Sequence, residues 1–329
     1  MKPTTAEAIR TPVWTSDRNV SNASRNDSLV TVECPAKTNI TLSVSARRPE
    51  WGNRHELDTV YCALTLADTL IVRCAPNGSG PLLSLTGDRL GDLARHGSDD
   101  GDNHAIRAVM AMAEASGIAP DVRLEIIKRI PVAAGLGGGS SDAAGTILAL
   151  NSLWGLDWPL ARLSEIAAQL GSDMPFCLTG GFAHGTGYGE RVTPLPAGSP
   201  SAVGLAEDGF CGDVLVGAYD DHLSTPLVYR RFDDIGADPD DANDLQRAAI
   251  SLHPRSGQAI ELATSAGARH AMVSGSGPTV VAFVSDARTR ESIRRAWLTA
   301  DVVDYVLDAR APSTPVVLTR RNERNRVRR

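Results

Sequence analysis

Residues Pro131, Val132, Ala133, Ala134, Gly135, Leu136, Gly137, Gly138, Gly139, Ser140 and Ser141 are the stretch of this chain best suited to chemistry. Four glycines in five positions remove the side chains that would hold a polyphosphate off backbone N–H groups. Two hydroxyls follow, and the spacing beyond them predicts a helix over about 141–154, so the loop empties into a helix N-terminus. Such an end offers unpaired N–H donors and the positive pole of the helix dipole, both of which favour an anion. Just upstream, Val122, Leu124 and Ile126 alternate with Arg123 and Glu125, which predicts a strand. Strand, glycine loop and helix in that order are the setting of a phosphate cradle. No lysine follows the last glycine, so the loop is not of the Walker type.

Phosphoryl transfer needs positioning, charge neutralisation and a base for the attacking hydroxyl. Three further segments are candidates for those tasks: Pro35-Ala36-Lys37-Thr38-Asn39, Gly171-Ser172-Asp173-Met174-Pro175-Phe176 and Ser274-Gly275-Ser276-Gly277-Pro278-Thr279. Each also has a plain structural reading. Asp173 suits a helix or turn cap, Ser274–Thr279 an ordinary tight turn, and Lys37 a side chain that snorkels to the surface. Three lysines, Lys2, Lys37 and Lys128, stand against thirty arginines. In a chain that so favours arginine, a lysine in an apolar strand suggests a need for a compact ammonium.

The elements that must position these groups alternate between strand and helix, which gives an α/β (α+β) class. Strands are predicted at Leu29–Glu33, around Ile40–Val44, at Thr69–Arg73, Val214–Tyr219 and Val280–Val284. A helix capped by Asp102 or Asn103 should bury Ile106, Val109, Met110 and Ala113. Another over 159–170 should turn Leu160, Leu163, Ile166, Ala167 and Leu170 inward. Three more are predicted over 243–252, 257–266 and 288–299, and Leu82–Gly101 reads as a surface loop or short hairpin. Pro194, Pro196 and Pro200 punctuate a domain boundary. The expected organisation is an unstructured extension over 1–28, a first domain over 29–195, a second over 200–311 and a basic tail over 312–329.

With 42% hydrophobic and 22% charged residues, the composition is that of a globular protein with a well-buried core. A net charge of -6 speaks against a nucleic-acid-binding body. No apolar run is long enough for a membrane span, and the N-terminus lacks the apolar core of a secretory signal. The expectation is a cytoplasmic protein with a small-molecule partner, neither nucleic acid nor membrane. Five cysteines without metal-ligand spacing read as free thiols.

Taken together and in order, Pro-Ala-Lys-x-Asn, the Gly-Leu-Gly-Gly-Gly-Ser-Ser-Asp-Ala-Ala run, Gly-Ser-Asp-x-Pro-Phe and Ser-Gly-Ser-Gly-Pro-Thr resemble the GHMP kinase superfamily. His55-Glu56-Leu57, Gly185-Thr186-Gly187 and Leu223-Ser224-Thr225-Pro226 strengthen the likeness, which spans about Val30 to Val284. The extended glycine run with Asp142 is similar to the branch that phosphorylates the 2-hydroxyl of 4-diphosphocytidyl-methylerythritol in non-mevalonate isoprenoid synthesis. The resemblance implies a ribosomal-protein-S5-like N-terminal domain and a ferredoxin-like C-terminal domain. It implies ATP wrapped by Pro131–Ser141 with Asn103 on the adenine side, and Mg²⁺ among the phosphates with Ser140 or Ser141 as candidate ligand. Asp173 would accept the hydroxyl proton, with Lys37 beside it offsetting charge on the phosphoryl group. Asn39 and Thr225 would hold the methylerythritol end, and His55 would read the cytosine.

Two departures fall on the nucleobase end. The family pattern Asp-Gly-Tyr-His is replaced by Gly52-Asn53-Arg54-His55, so a guanidinium stands where a stacking aromatic is expected. A second stacking position falls at His184. These changes keep open a different acceptor, such as homoserine, mevalonate or a sugar; a nucleotide-binding regulator without catalysis is a third reading. The presence of both Lys37 and Asp173 favours an enzyme. The sequence leaves the oligomeric state open.

Overall fold

The computed structural model describes residues 28–88, 90 and 103–320. The expected extension (through residue 27), most of the polar stretch before Asn103 including Asp102, and the arginine-rich end from 321 lie outside the described residues.

Strand β1 (Leu29–Arg48) and its antiparallel partner β2 (Arg54–Cys74) form a long hairpin at the centre of the molecule. The two short strands predicted within Leu29–Val44 are one. Register shifts at Pro35/Ala36 and Asn39/Thr41 bend β1 instead of ending it. Pro35 has no N–H to give the ladder, and a bulge is where a strand tolerates that loss. Strand β3 (Leu82–Gly87) lies parallel to β4 (Val122–Lys128). This start of the expected surface loop joins the sheet because Leu83 and Leu85 pack on the core.

Between β3 and β4 comes α1 (His104–Ser116), whose first turn is capped by Asn103 Oδ1 accepting from the Ala105 N–H at 2.9 Å. Its buried stripe is rotated from the predicted one. Ala105, Ala108, Val109, Met112 and Ala113 face inward and Met110 is 49% exposed, because three alanines allow closer approach than the larger side chains would. Helices α2 (Gly138–Leu153), α3 (Leu160–Leu170) and α4 (Met174–Thr179) follow, then strands β5 (Phe182–Thr186) and β6 (Arg191–Leu195). In α3, Leu163, Ile166 and Ala167 are buried as predicted, but Leu160 at the first turn is exposed. Helices α1 to α4 cover one face of the first sheet, closing Val30, Val32, Leu70 and Leu124 against Val109, Ile147, Leu150 and Phe176.

The remainder comprises α5 (Pro200–Glu207), β7 (Gly212–Ala218), α6 (Thr225–Ile235), α7 (Gln246–Leu252), α8 (Pro254–Ser265), β8 (His270–Val273), β9 (Val280–Val284), α9 (Ala287–Thr299), β10 (Tyr305–Ala311) and β11 (Val316–Arg320). The antiparallel sheet β10-β7-β9-β8 obeys strand periodicity on both faces. Leu215, Val280 and Ala282 pack on Ile293 and Trp297 of α9 and on α8. Val214, Val216, Val281 and Phe283 pack the other way, against Ala36, Ile40, Leu64, Ile130 and Leu136. That shared core locks the second sheet against the centre of the first and against the glycine loop. The chain then returns: β11 pairs antiparallel with β1, so residues 316–320 form an edge strand of the first sheet where a solvated tail is expected. Five hydrogen-bonding residues on an unpaired edge of β1 outweigh the local charge density. The class is α+β, as expected. Among the described residues no helix is long and apolar enough to cross a membrane.

Candidate active site

A cleft of about 1130 Å³ lies where the β1–β2 hairpin, the glycine loop, α6 and the β8–β9 turn meet. Lys37 and Asp173 face each other across it, Nζ to Oδ2 at 3.2 Å. The capping reading of Asp173 does not hold. Its carboxylate makes no cap hydrogen bond to α4 and turns to Lys37 and to Tyr61, whose hydroxyl donates to Oδ1 at 3.2 Å. Nor does Lys37 snorkel: it is buried, donates to Asn39 Oδ1 at 2.9 Å and sits 5.8 Å from the Tyr61 ring centre. Asn39 in turn donates to Thr59 Oγ1 at 2.8 Å, and Thr59 donates to the Thr41 carbonyl. Burial, and then the Asp173 charge, push the Tyr61 phenol well above its usual value, so it remains a donor. The carboxylate is thus aimed by two donors from two strands.

The glycine loop reaches this pair through β1. The Lys37 N–H donates to the Leu136 carbonyl at 2.9 Å, and Gly137 starts α2 in the left-handed region at φ +67°. A Cβ at Gly137 would stand 2.7 Å from Lys37 Cγ. Gly135, at φ +78°, is tighter still, since a Cβ there would fall 2.2 Å from the Ser274 carbonyl oxygen. Ser274 Oγ also donates to the Gly135 carbonyl, so the β8–β9 turn clamps the loop from the second sheet. Gly135→Ala is therefore expected to lower Tm and raise the KM for ATP several-fold; an alanine variant with both values unchanged would contradict the clamp.

Of the eleven loop residues expected around the phosphates, nine line the cleft. Leu136 and Ser141 do not. Leu136 is buried in the core between the sheets, and Ser141 donates its hydroxyl to the Pro35 carbonyl, pinning α2 to the β1 bulge. Asn103 lines the cleft, as does His104, which lies beneath Gly139.

Lys128 anchors the loop from behind. It is fully paired, with Asp142 Oδ2 at 2.6 Å and with Asp68 Oδ2 closer still. Asp68 Oδ1 also accepts from the Arg129 and Ile130 N–H groups. One ammonium therefore ties the end of β4, the entry of the loop and the N-terminal part of α2. Burial works against its charge, but the two carboxylates more than offset it and hold Lys128 above the ordinary lysine range. The Asp142 carboxyl is pushed above the usual carboxylate range, chiefly by burial, with Lys128 pulling down and the Asp68 charge pushing up.

The end of the cleft expected to take the acceptor is built on α6. Thr225 opens that helix, and its hydroxyl lies 2.9 Å from that of Ser276 in the β8–β9 turn. His55 is buried beneath the helix, its ring stacked on Tyr229 at 5.3 Å and edged by Phe232. His55 Nδ1 is held at 2.7 Å from the Ser45 carbonyl, while Nε2 lies 3.2 Å from Asp233 Oδ1, out of line for a hydrogen bond. Arg54 lines the cleft with its guanidinium over the Tyr188 ring. His184 does not reach it: on β5 its ring faces Asp58, 3.1 Å away, and lines a separate shallow hollow with Val60 and Leu205. Alternation along β5 points it away from the cleft. Sequence reasoning missed Tyr61, Thr59, Tyr188 and Tyr229. Thr59 and Tyr61 share one face of β2, and Tyr61 is paired in register with Asn39, a signal available once β1 and β2 are known to pair.

A glycine-lined helix N-terminus facing a lysine–aspartate pair across two interlocked sheets defines a small-molecule phosphotransferase. The GHMP kinases N terminal domain family matches residues 103–181 and the GHMP kinases C terminal family residues 230–303. A 4-diphosphocytidyl-2-C-methyl-D-erythritol kinase of Bifidobacterium longum (strain NCC 2705) is 54% identical over 313 residues, covering 94% of this chain and 99% of its own. A crystal structure of a 4-(cytidine 5'-diphospho)-2C-methyl-D-erythritol kinase superposes with a TM-score of 0.64 at 30% identity, over 86% of this chain and 99% of that one. A homoserine kinase from Cytophaga hutchinsonii shares the fold, with a TM-score of 0.66 at 16% identity over 93% of this chain and 100% of its own. The chain belongs to the GHMP kinases and, within them, to the family of 4-diphosphocytidyl-2-C-methyl-D-erythritol kinases.

Proposed function

We propose that this chain transfers the γ-phosphoryl group of ATP to the 2-hydroxyl of 4-diphosphocytidyl-2-C-methyl-D-erythritol, in isoprenoid precursor synthesis. The observation that carries the reading is the Lys37–Asp173 contact at 3.2 Å, opposite the glycine loop and backed by Tyr61. Asp173 accepts the proton of the acceptor hydroxyl as its oxygen bonds to the γ-phosphorus and the β–γ bridge breaks to release ADP. Lys37 sits between that carboxylate and the loop, where it offsets the charge that spreads over the transferred group. Asn39 fixes the Lys37 ammonium, and Tyr61 fixes the free rotation of the carboxylate. The loop N–H groups and the start of α2 hold the polyphosphate, with Asn103 toward the adenine. Thr225 and Asn39 face the methylerythritol end, and Arg54 and His55 face the cytidine end.

Among the described residues no three His, Cys, Asp or Glu side chains are grouped to hold a metal. Mg²⁺ keeps several waters and is held by substrate phosphates with one or two protein ligands, so it needs no such group. Ser140 is the hydroxyl that would join it, since Ser141 is turned to Pro35; the ion would neutralise phosphate charge. The setting we propose is the cytoplasm, where ATP is at hand as the phosphoryl donor.

The site of transfer is open to a direct check. C2 of the acceptor carries a methyl group and no hydrogen. The proton-coupled ³¹P spectrum of the product should therefore show a new phosphomonoester signal without three-bond splitting to a carbinol proton. A doublet or triplet would place the phosphate on another hydroxyl.

A further inference from the structure

Arg54 lies exposed at the acceptor end, and no ion-pair partner reaches it among the described residues. Its guanidinium carbon instead stands 4.6 Å from the centre of the Tyr188 ring. Tyr188 is itself firmly placed. Its N–H donates to Glu190 Oε2 at 2.7 Å, the preceding Gly187 carbonyl accepts from the Leu57 N–H at 2.7 Å, and Trp51 meets the ring edge-on at 6.0 Å. Arg54, Tyr188 and Tyr229 all line the same cleft.

We propose that Tyr188 is a positioning residue for nucleobase recognition: it holds the Arg54 guanidinium flat, and that planar cation is the surface on which the pyrimidine stacks. The proposal rests on the cytidine-diphosphate acceptor argued above. A guanidinium is planar, delocalised and weakly hydrated, so it can stack on one aromatic face while offering its other face to a second ring. A free arginine on a hairpin tip would spend most of its time solvated. The tyrosine face removes that freedom before the ligand arrives, which is how preorganisation adds affinity. The arrangement supplies a flat partner where the chain has no aromatic residue at position 54.

Arg54 has a second conceivable use, as a simple counter-charge for the acceptor's diphosphate, and the variants separate the two. Tyr188→Ala in the full-length chain should raise the KM for the acceptor, and the Kd for cytidine 5'-diphosphate measured by calorimetry, by about 5- to 150-fold, the range of one lost base stack. The loss should fall on those constants and leave the KM for ATP unmoved. Tyr188→Phe keeps the ring face and should bind like the parent. Arg54→Lys keeps the charge, loses the plane and should be as weak as Tyr188→Ala. Arg54→Tyr combined with Tyr188→Ala should recover affinity, because a tyrosine stacks without being held. The proposal is overturned by a Tyr188→Ala chain with parental cytidine diphosphate affinity, by Arg54→Lys binding as the parent does, or by a double variant as weak as Tyr188→Ala alone. Calorimetry keeps the readings apart: a chain that binds cytidine diphosphate in this Tyr188-dependent way yet fails to phosphorylate the acceptor would contradict the function and support the stacking role.

Discussion

Asp173→Asn is expected to lower kcat by about 10²–10⁴-fold, the usual contribution of a positioned base, while the KM for ATP stays near the parental value. Asparagine keeps the volume of the side chain, and its oxygen can still accept from Tyr61. What it loses is the site for the hydroxyl proton and the negative charge that faces Lys37 at 3.2 Å. In the proposed reading the nucleotide is held by other elements: the loop, the start of α2 and the cap region of α1. The change should therefore separate chemistry from nucleotide binding. Steady-state kinetics together with ATP calorimetry check it. Turnover within tenfold of the parent would mean that another group takes the proton.

The second large effect concerns stability. Lys128→Met leaves Asp68 and Asp142 buried together with no counter-charge, and breaking a buried pair from one side costs about 3–5 kcal/mol. For a chain of this size that corresponds to a fall in Tm of roughly 5–15 °C. The damage should extend to ATP, because the same ammonium ties β4, the loop entry and the N-terminal part of α2. Asp142→Asn in the Lys128→Met background removes one of the stranded charges and should recover part of the lost Tm. Asp68 is the poorer choice for that rescue, since its other oxygen accepts two backbone N–H groups. A Lys128→Met chain that melts with the parent would show the network to be dispensable.

The strand, glycine loop and helix of the candidate phosphate cradle were legible in sequence because the signal is local: glycine density, a strand before and a helix after. Lys37 and Asp173 were legible only through the company of the other motifs, since nothing in either segment says that they meet. Strand periodicity explains what stayed hidden. Tyr61 reads as one more apolar position of a strand, and its hydroxyl gains meaning only when β1 and β2 pair and α4 brings Asp173 across. Tyr188, between two glycines, looks like turn filler until the hairpin tip folds back over it. The misplacement of His184 has the same origin, because a one-residue alternation decides which side of β5 a ring occupies. Residues 316–320 went unrecognised as a strand because an edge strand is made by the vacant neighbour it pairs with, here β1, and the arginines that follow mask its short apolar run.

Acceptor-dependent ADP release shows whether the cleft phosphorylates a cytidine-bearing acceptor. Purified chain with ATP and Mg²⁺ should release ADP on addition of 4-diphosphocytidyl-2-C-methyl-D-erythritol, with a kcat/KM far above that for homoserine, mevalonate or galactose. Equal or faster turnover with any of those three would rule out the cytidine-bearing acceptor as the substrate.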